Sequence, residues 1–234
     1  MAEIRADIMA ILAHPDDAEF AIAGTVAKWV QQGKVVVYVV CTKGDKGTSD
    51  PDMDPARLTG IRQEEQLAAA KVLGVQKVVF LGYPDQGLED TAEFRKDLVR
   101  QIRVFRPRTV ATSSPYRRYL WHRDHRIAGQ VVLDAIYPYA RDRLAYPDLM
   151  VEGLQPHKVK EVLLWGSPEE DVNFRSDITE TFEVKLKALS CHKSQVGETF
   201  NRDTEKWVRD RAKLLAKGQK FDLAEAFHRE EVWL

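Results

Sequence analysis

Two short stretches of the chain concentrate side chains able to do acid–base or metal chemistry. Residues 13–19 read AHPDDAE and residues 122–125 read HRDH. The chain has six histidines, and three of them, His14, His122 and His125, lie in these stretches. Adjacent carboxylates repel, so a turn has no folding reason to carry Asp16 and Asp17 side by side next to a histidine. Alone, each stretch also reads as a turn with a helix cap. Together they read as one site.

The chemistry that suits them is that of a divalent metal. Zinc takes nitrogen, oxygen or sulfur donors in a tetrahedron, and catalytic sites use three protein ligands and keep one position open for water. His14 and Asp17, three residues apart on one turn, can grip one ion, and His125 at the start of a helix is the best third ligand. Asp16 is then left to take a proton as general base. His122 is left to support an oxyanion or to protonate a leaving amine. Asp124 can hydrogen-bond the His122 imidazole and raise its pKa, or orient a metal ligand. A polarised carbonyl, an activated water, oxyanion support and an acid for nitrogen are the parts that metal-assisted amide hydrolysis needs.

Something must bring 13–19 and 122–125 together across more than a hundred residues. The runs IMAILA (8–13) and VVVYVVC (35–41) are continuously apolar and rich in β-branched residues, as strands buried on both faces are. Shorter strand candidates are VVFL (78–81), TVAT (109–112) and VLLW (162–165). Between them, helical spacing predicts Thr25–Gln32 closed by Gly33, and Leu58, Ile61, Ala68 and Val72 on one face of a helix closed by Gly74. Phe94, Leu98, Ile102 and Phe105 mark a third helix, and Ile127–Tyr137 a fourth that stops before Pro138. Alternating β and α elements predict an α/β, Rossmann-like, mostly parallel sheet with helices on both faces. In such sheets ligands sit beyond the carboxyl ends of strands near a topological switch point. AHPDDAE follows the first strand and HRDH follows the fourth. Residues 141–158 read as an irregular excursion and about 180–234 as a C-terminal helical part of one domain spanning 1–234.

Composition sets the outer bounds. The chain has 234 residues, 44% of them hydrophobic and 30% charged, with a net charge of −1. Acidic and basic residues are mixed, which leaves no basic footprint for nucleic acid. No segment reaches the roughly 20 apolar residues of a membrane helix, and the N-terminus lacks the pattern of a signal peptide. Cys41 and Cys191 are too few and too far apart for a disulfide framework or a thiolate zinc site. Cys41 is expected to be a buried free thiol, and both cysteines suit a reducing cytoplasm. No G-x-G-x-x-G follows the first strand, KGDKGTSD (43–50) lacks P-loop spacing, and SSP (113–115) is no nucleophile elbow. Adjacent Asp16 and Asp17 do not fit a glycosidase pair, whose carboxylates flank the scissile bond at roughly 5–10 Å.

With both motifs in hand, the chain resembles the LmbE-like, or PIG-L, family of zinc-dependent N-acetylglucosaminyl deacetylases. The resemblance extends to AGT (23–25), RQEE (62–65), LGYPDQGL (81–88) and LSCHKSQV (189–196). It implies one catalytic zinc on His14, Asp17 and His125, Asp16 as general base, and His122 as electrophile or acid with Asp124 as its partner. It also implies that Arg62, one turn before Glu65, contacts a polar or anionic group of the substrate, although a helical ion pair with Glu65 is an equal reading. The chain departs from the frequent HPDH of relatives: Arg123 replaces a proline, which loosens the loop or points Arg123 at the substrate. Tyr116, Tyr119 and Trp121 offer sugar-stacking rings, Asp85 a place on the pocket rim, and His192 a place in packing or behind the ligands.

The expectation is a cytoplasmic zinc hydrolase that removes an acetyl group from an N-acetylglucosamine-type sugar or conjugate. The same centre acting on a non-sugar amide, or a Rossmann-like binding module without catalysis, are the alternatives. The partners implied are a small N-acetylated sugar and a second copy of the chain through 137–151, with neither nucleic acid nor membrane.

Overall fold

The computed structural model describes residues 4–197 and 202–233. Seven strands form one sheet in the order β3-β2-β1-β4-β5-β7-β6. Strand β1 (Ile8–Leu12) lies between β2 (Val36–Thr42) and β4 (Thr109–Ser113), parallel to both. Strands β3 (Lys77–Tyr83) and β5 (Glu161–Trp165) extend the parallel part on either side. The chain therefore turns outward in both directions from β1, and the β1/β4 pair is the switch point at which such sheets bind ligands.

The apolar runs predicted this burial well. In β1, β2 and β4 every residue is buried. Alternate side chains feed two cores. Met9, Ile11, Val37 and Val39 pack with Phe94, Leu98 and Ile102 of α4 (Ala92–Phe105) and with Ala128, Val131 and Val132 of α5 (Arg123–Asp134). Ile8, Ala10, Leu12 and Tyr38 pack on the other face with Ala18 of α1 (Asp17–Ala21), Val26 of α2 (Ala23–Gln31) and Ala69 and Leu73 of α3 (Pro55–Leu73). Helices thus cover both faces, as expected. The helix that continues α5 stops before Pro138, as expected: Tyr137 leaves the helical region, with φ −142° and ψ 122°, and the chain kinks there. The excursion at 141–158 contains one short helix, α6 (Pro147–Val151).

Two expectations need correction. The C-terminal part is not purely helical. It holds α7 (Phe182–Leu189), α8 (Lys193–Val196) and α9 (Arg202–Leu215), but also β7 (Ala224–Glu231), antiparallel to β5 and to β6 (Phe174–Asp177). The sequence AEAFHREE hides the strand, because one of its inward side chains is Glu225, buried against Lys185 at 2.6 Å. The inward face of α3 is also rotated from its apolar pattern. Ala68 is exposed, while the buried stripe runs Leu58, Arg62, Gln66, Ala69, Ala70, Leu73. Two polar residues sit where periodicity asks for apolar ones, and both face the site.

No helix among the described residues is long and apolar enough to cross a membrane. Cys41 is buried and Cys191 partly so, both as free thiols.

Close packing of α5 on β4 sets the position of His125. A Cβ on Gly129 would stand 2.3 Å from the Ser113 carbonyl oxygen, and Ser113 Oγ donates to the His125 carbonyl at 2.8 Å. Gly129→Ala must push the helix off the strand. We expect it to destabilise the protein by about 1–3 kcal/mol, read as a lower urea midpoint with an unchanged slope.

Candidate active site

The loops after β1 and β4 meet, and His14 is where they join. Its backbone N–H donates to Asp17 Oδ2 at 2.9 Å, which closes the HPDD turn on itself. Its Nδ1 lies 3.2 Å from His125 Nε2 and 3.8 Å from Asp17 Oδ1. His125 Nε2 and Asp17 Oδ1 are 2.9 Å apart. Three donors from two loops thus converge on one point. In a tetrahedron with bonds of about 2.0–2.2 Å, ligand atoms stand roughly 3.3–3.6 Å apart. The separations here bracket that value.

The other ring nitrogen settles which face of His14 is available. Nε2 lies 3.1 Å from Asp124 Oδ2 and 3.2 Å from Asp85 Oδ1. Asp124 also accepts the backbone N–H groups of Gln86 at 2.6 Å and Leu88 at 3.2 Å, so its oxygens are already engaged. A carboxylate behind a histidine fixes the tautomer and aims the free lone pair at a metal. His14, Asp85 and Asp124 also form a close donor group, as do His14, His122 and His125. The hydrogen bonds to Nε2 make the first of these the support of the Nδ1 face.

The charge balance asks for a cation. Burial disfavours a charged His14, but hydrogen bonds to Asp124, Asp17 and Asp85 outweigh it and push its pKa up to about 12. Burial likewise opposes ionisation of Asp17, yet His125 and His14 hold its carboxyl well below the usual carboxylate range. The donor set and its field both fit a divalent ion.

Asp16 stands just before α1 in the left-handed region, φ 94°, without a side-chain bond to the helix, a strained setting for a residue with a side chain. The strain is held from α3. Gln66 Oε1 accepts the Asp16 N–H at 2.9 Å. Arg62 Nη2 donates to Asp16 Oδ2 at 3.1 Å and to the Pro15 carbonyl at 2.9 Å, while Nη1 donates to the Gly44 and Lys46 carbonyls. Burial raises the pKa of Asp16 to about 6, against the pull of Arg62. Arg62 therefore lines the cavity with its Nη groups already bonded to protein. Glu65 turns instead to Ser194, accepting its N–H at 2.8 Å.

In the next layer sequence reasoning placed His192 behind the ligands but missed Glu19 and Gln66. Glu19 and His192 are both fully buried and 3.1 Å apart, and Gln66 Nε2 donates to Glu19 at 3.2 Å. The chain His192–Glu19–Gln66–Asp16 ties the LSCHKSQV segment to the strained turn. The E of AHPDDAE and the Q of RQEEQ were the available signals, but neither type nor spacing reveals a partner 173 positions away.

His122 caps α5, its Nδ1 accepting the Asp124 N–H at 3.1 Å. Of the two roles open to Asp124, the side-chain bond to His122 is not formed, and the carboxylate instead orients His14. The pKa of His122 is accordingly not raised. Burial, then the charges of His14 and His125, lower it. Arg123 turns outward, 3.9 Å from Glu89, and is not among the cavity-lining residues. Asp85 lies on the buried floor under His14 instead of the rim. Trp121 lines the cavity with its ring edge toward His125, centroids 4.8 Å apart. Tyr116 and Tyr119 lie outside it, exposed.

The cavity above these groups has a volume of about 530 Å³, with Phe20, Trp121, Trp165 and Trp207 on its walls.

The family model for GlcNAc-PI de-N-acetylase, PIG-L, matches residues 9–136. The chain belongs to the PIG-L family. It is 35% identical over 191 residues to the diacetylchitobiose deacetylase of Thermococcus kodakarensis, covering 82% of this chain and 70% of the relative. It is 27% identical to a 1D-myo-inositol 2-acetamido-2-deoxy-alpha-D-glucopyranoside deacetylase of Mycobacterium sp., over 86% of this chain and 78% of that one. Its fold superposes on the N,N'-diacetylchitobiose deacetylase of Pyrococcus horikoshii with a TM-score of 0.90 at 30% identity, covering 96% of this chain and 84% of the other.

Two outcomes follow from the geometry. Asp124→Asn removes the acceptor that orients His14 and is expected to weaken affinity for an added divalent metal about 10–100-fold, measured by competition with a chromophoric chelator. The second concerns His192. Burial lowers its pKa, but the Glu19 hydrogen bond outweighs this and raises it above the ordinary 6.5. A raised folded-state pKa gives stability that is complete below 6.5 and fades as pH climbs through the folded value. Urea melts should show His192→Gln less stable than wild type by about 3–5 kcal/mol at acid pH, the gap narrowing as pH rises above 6.5.

Proposed function

We propose that the chain is a zinc-dependent N-deacetylase that hydrolyses the acetamide of an N-acetylglucosamine-type sugar or conjugate. The observation that carries this reading is the convergence of His14 Nδ1, Asp17 Oδ1 and His125 Nε2 beside a partly buried, strained Asp16. The relatives' names support the substrate class. When bound by those three donors, zinc supplies Lewis acidity toward the acetyl carbonyl and makes a water acidic enough to attack near neutral pH.

The chain's own groups do the rest. Asp16 takes the proton of the attacking water. Its carboxylate is aimed by Arg62 and its backbone by Gln66, so little reorientation is needed. His122 accepts the Asp124 N–H at Nδ1, so its neutral ring carries the proton on Nε2. That N–H is a donor for the oxyanion that develops as water adds to the acetyl carbon. Collapse of the tetrahedral species expels the amine, and the proton held by Asp16 passes to its nitrogen. Acetate and the free amino sugar leave. Arg62 acts through Asp16 in this reading, and Arg123 has no contact with substrate.

We place the enzyme in a reducing cytoplasm, which its two free thiols support. Exposed Tyr137, Leu144 and Val151 support a homo-oligomeric contact along 137–151.

The test combines metal content with acetate release from N-acetylglucosamine and N,N'-diacetylchitobiose. Wild type should carry about one zinc per chain and Asp17→Ala none. Asp16→Asn should keep its zinc and lose about 10²–10⁴-fold in kcat. Unimpaired turnover in Asp16→Asn would remove it as the base, and a wild type that binds no zinc would end the hydrolase reading.

A further inference from the structure

The cavity is electrically divided. Asp16, Asp17 and Asp85 line its floor, each already engaged by His14, His125 or Arg62. Four cations of the Lys/Arg type line it as well: Lys46, Arg62, Arg117 and Arg211. Arg62 pairs with Asp16 and Lys46 Nζ donates to the Asp85 carbonyl. Arg117 and Arg211 have neither an ion pair nor a hydrogen bond to protein among the described residues. Both are exposed at the mouth.

They arrive there from different elements. Arg117 belongs to the loop after β4, with its guanidinium stacked on the Trp121 ring at 4.5 Å, an arrangement that fixes its plane. Arg211 belongs to α9, whose residues Trp207, Arg211 and Leu215, spaced by four, line the cavity wall. Partial desolvation of its guanidinium, and after it the charge of Arg117, lower the pKa of Arg211. Two like charges facing one cavity without a protein counterion repel, and an oxyanion between them relieves that repulsion while accepting bonds from both guanidinium forks. At about 530 Å³ the cavity is in the range that holds a drug-sized ligand, so a sugar on the floor leaves room for a further group at the mouth.

We propose that Arg117 and Arg211 form an oxyanion subsite, so that the preferred substrate is an N-acetylglucosaminyl conjugate carrying a carboxylate or phosphate on the part remote from the acetamide. The proposal rests on the deacetylase reading above for the placement of the acetamide on the floor. It sets this chain apart from an enzyme tuned to a neutral disaccharide, in which a second sugar ring would simply stack on Trp121 or Trp207.

The experiment is a series of N-acetylglucosaminides that share one aglycone skeleton, ending in a methyl ester, a carboxylate or a phosphate monoester, with N,N'-diacetylchitobiose as the neutral disaccharide. The expected result is a kcat/KM at least about tenfold higher for an anionic member than for the ester. Added salt should shrink that ratio. In the Arg117→Gln/Arg211→Gln double variant the ratio should fall to within about twofold of one. The carboxylate and phosphate arms decide which oxyacid the mouth prefers. Equal turnover of ester and anion, a preference for the disaccharide, or a double variant that keeps the wild-type ratio overturns the subsite. Calorimetry with the corresponding free-amine products on zinc-loaded protein reads the same ratio without turnover. A carboxylate product that binds no tighter than its ester overturns the subsite on its own. Tighter binding of the anion with no acetate release from any compound supports the subsite and instead sinks the deacetylase reading.

Discussion

One imidazole holds the site together. His14 faces Asp17 and His125 with Nδ1, and Asp124 and Asp85 with Nε2. Through these contacts it links the loops after β1, β3 and β4 at the switch point of the sheet. Each link depends on the next. Asp124 can reach His14 only because Gly129 lets α5 approach β4, and it is held in place by the N–H groups of the YPDQGL loop. A buried charge is tolerated only when paired and hydrogen-bonded, so this arrangement of carboxylates around one ring stands or falls as a unit.

The polar content of the interior follows from that constraint. Arg62, Gln66, Glu19, Asp124 and His192 are all buried, and each would be expensive to bury alone. Together they satisfy one another and hold Asp16 in a backbone conformation it would otherwise avoid. The left-handed turn is what separates the directions of two adjacent carboxylates. Asp17 turns toward the histidines and Asp16 toward Arg62. The AHPDDAE stretch thus answers the repulsion of its neighbouring aspartates by giving each a different cationic partner.

The same division of charge extends upward through the cavity. The acidic groups Asp16, Asp17 and Asp85 lie on the floor and are all paired, while Arg117 and Arg211 stand at the mouth. Aromatic walls between them, from Trp121, Trp165, Trp207 and Phe20, suit the apolar faces of a sugar ring. The helix α9 supplies part of that wall, so the C-terminal segment completes a pocket whose floor is built by residues 14–125.

Much of this was legible in the sequence. Continuous apolar runs gave the parallel strands, helical spacing gave α4 and its buried face, and the alternation of the two gave a mostly parallel sheet at whose edge 13–19 and 122–125 can meet; the strand order itself came from the fold. These signals are local, because hydrophobic periodicity reports how each segment meets a core. The residue types of the site were legible for the same reason: histidines and paired aspartates directly after strand ends have little else to do. Partner choice was not. That Asp124 serves His14 and not His122, that Arg123 turns to solvent while Arg62 is consumed behind Asp16, and that Glu19 meets His192 are facts about side chains up to 173 positions apart. They are decided by how helices rotate on the sheet. Periodicity misjudged that rotation in α3, where Arg62 and Gln66 occupy inward positions, and it overlooked β7, where Glu225 does. At those places the chain gives up apolar burial for a hydrogen-bonded network, and only the folded arrangement of the partners shows that the exchange balances.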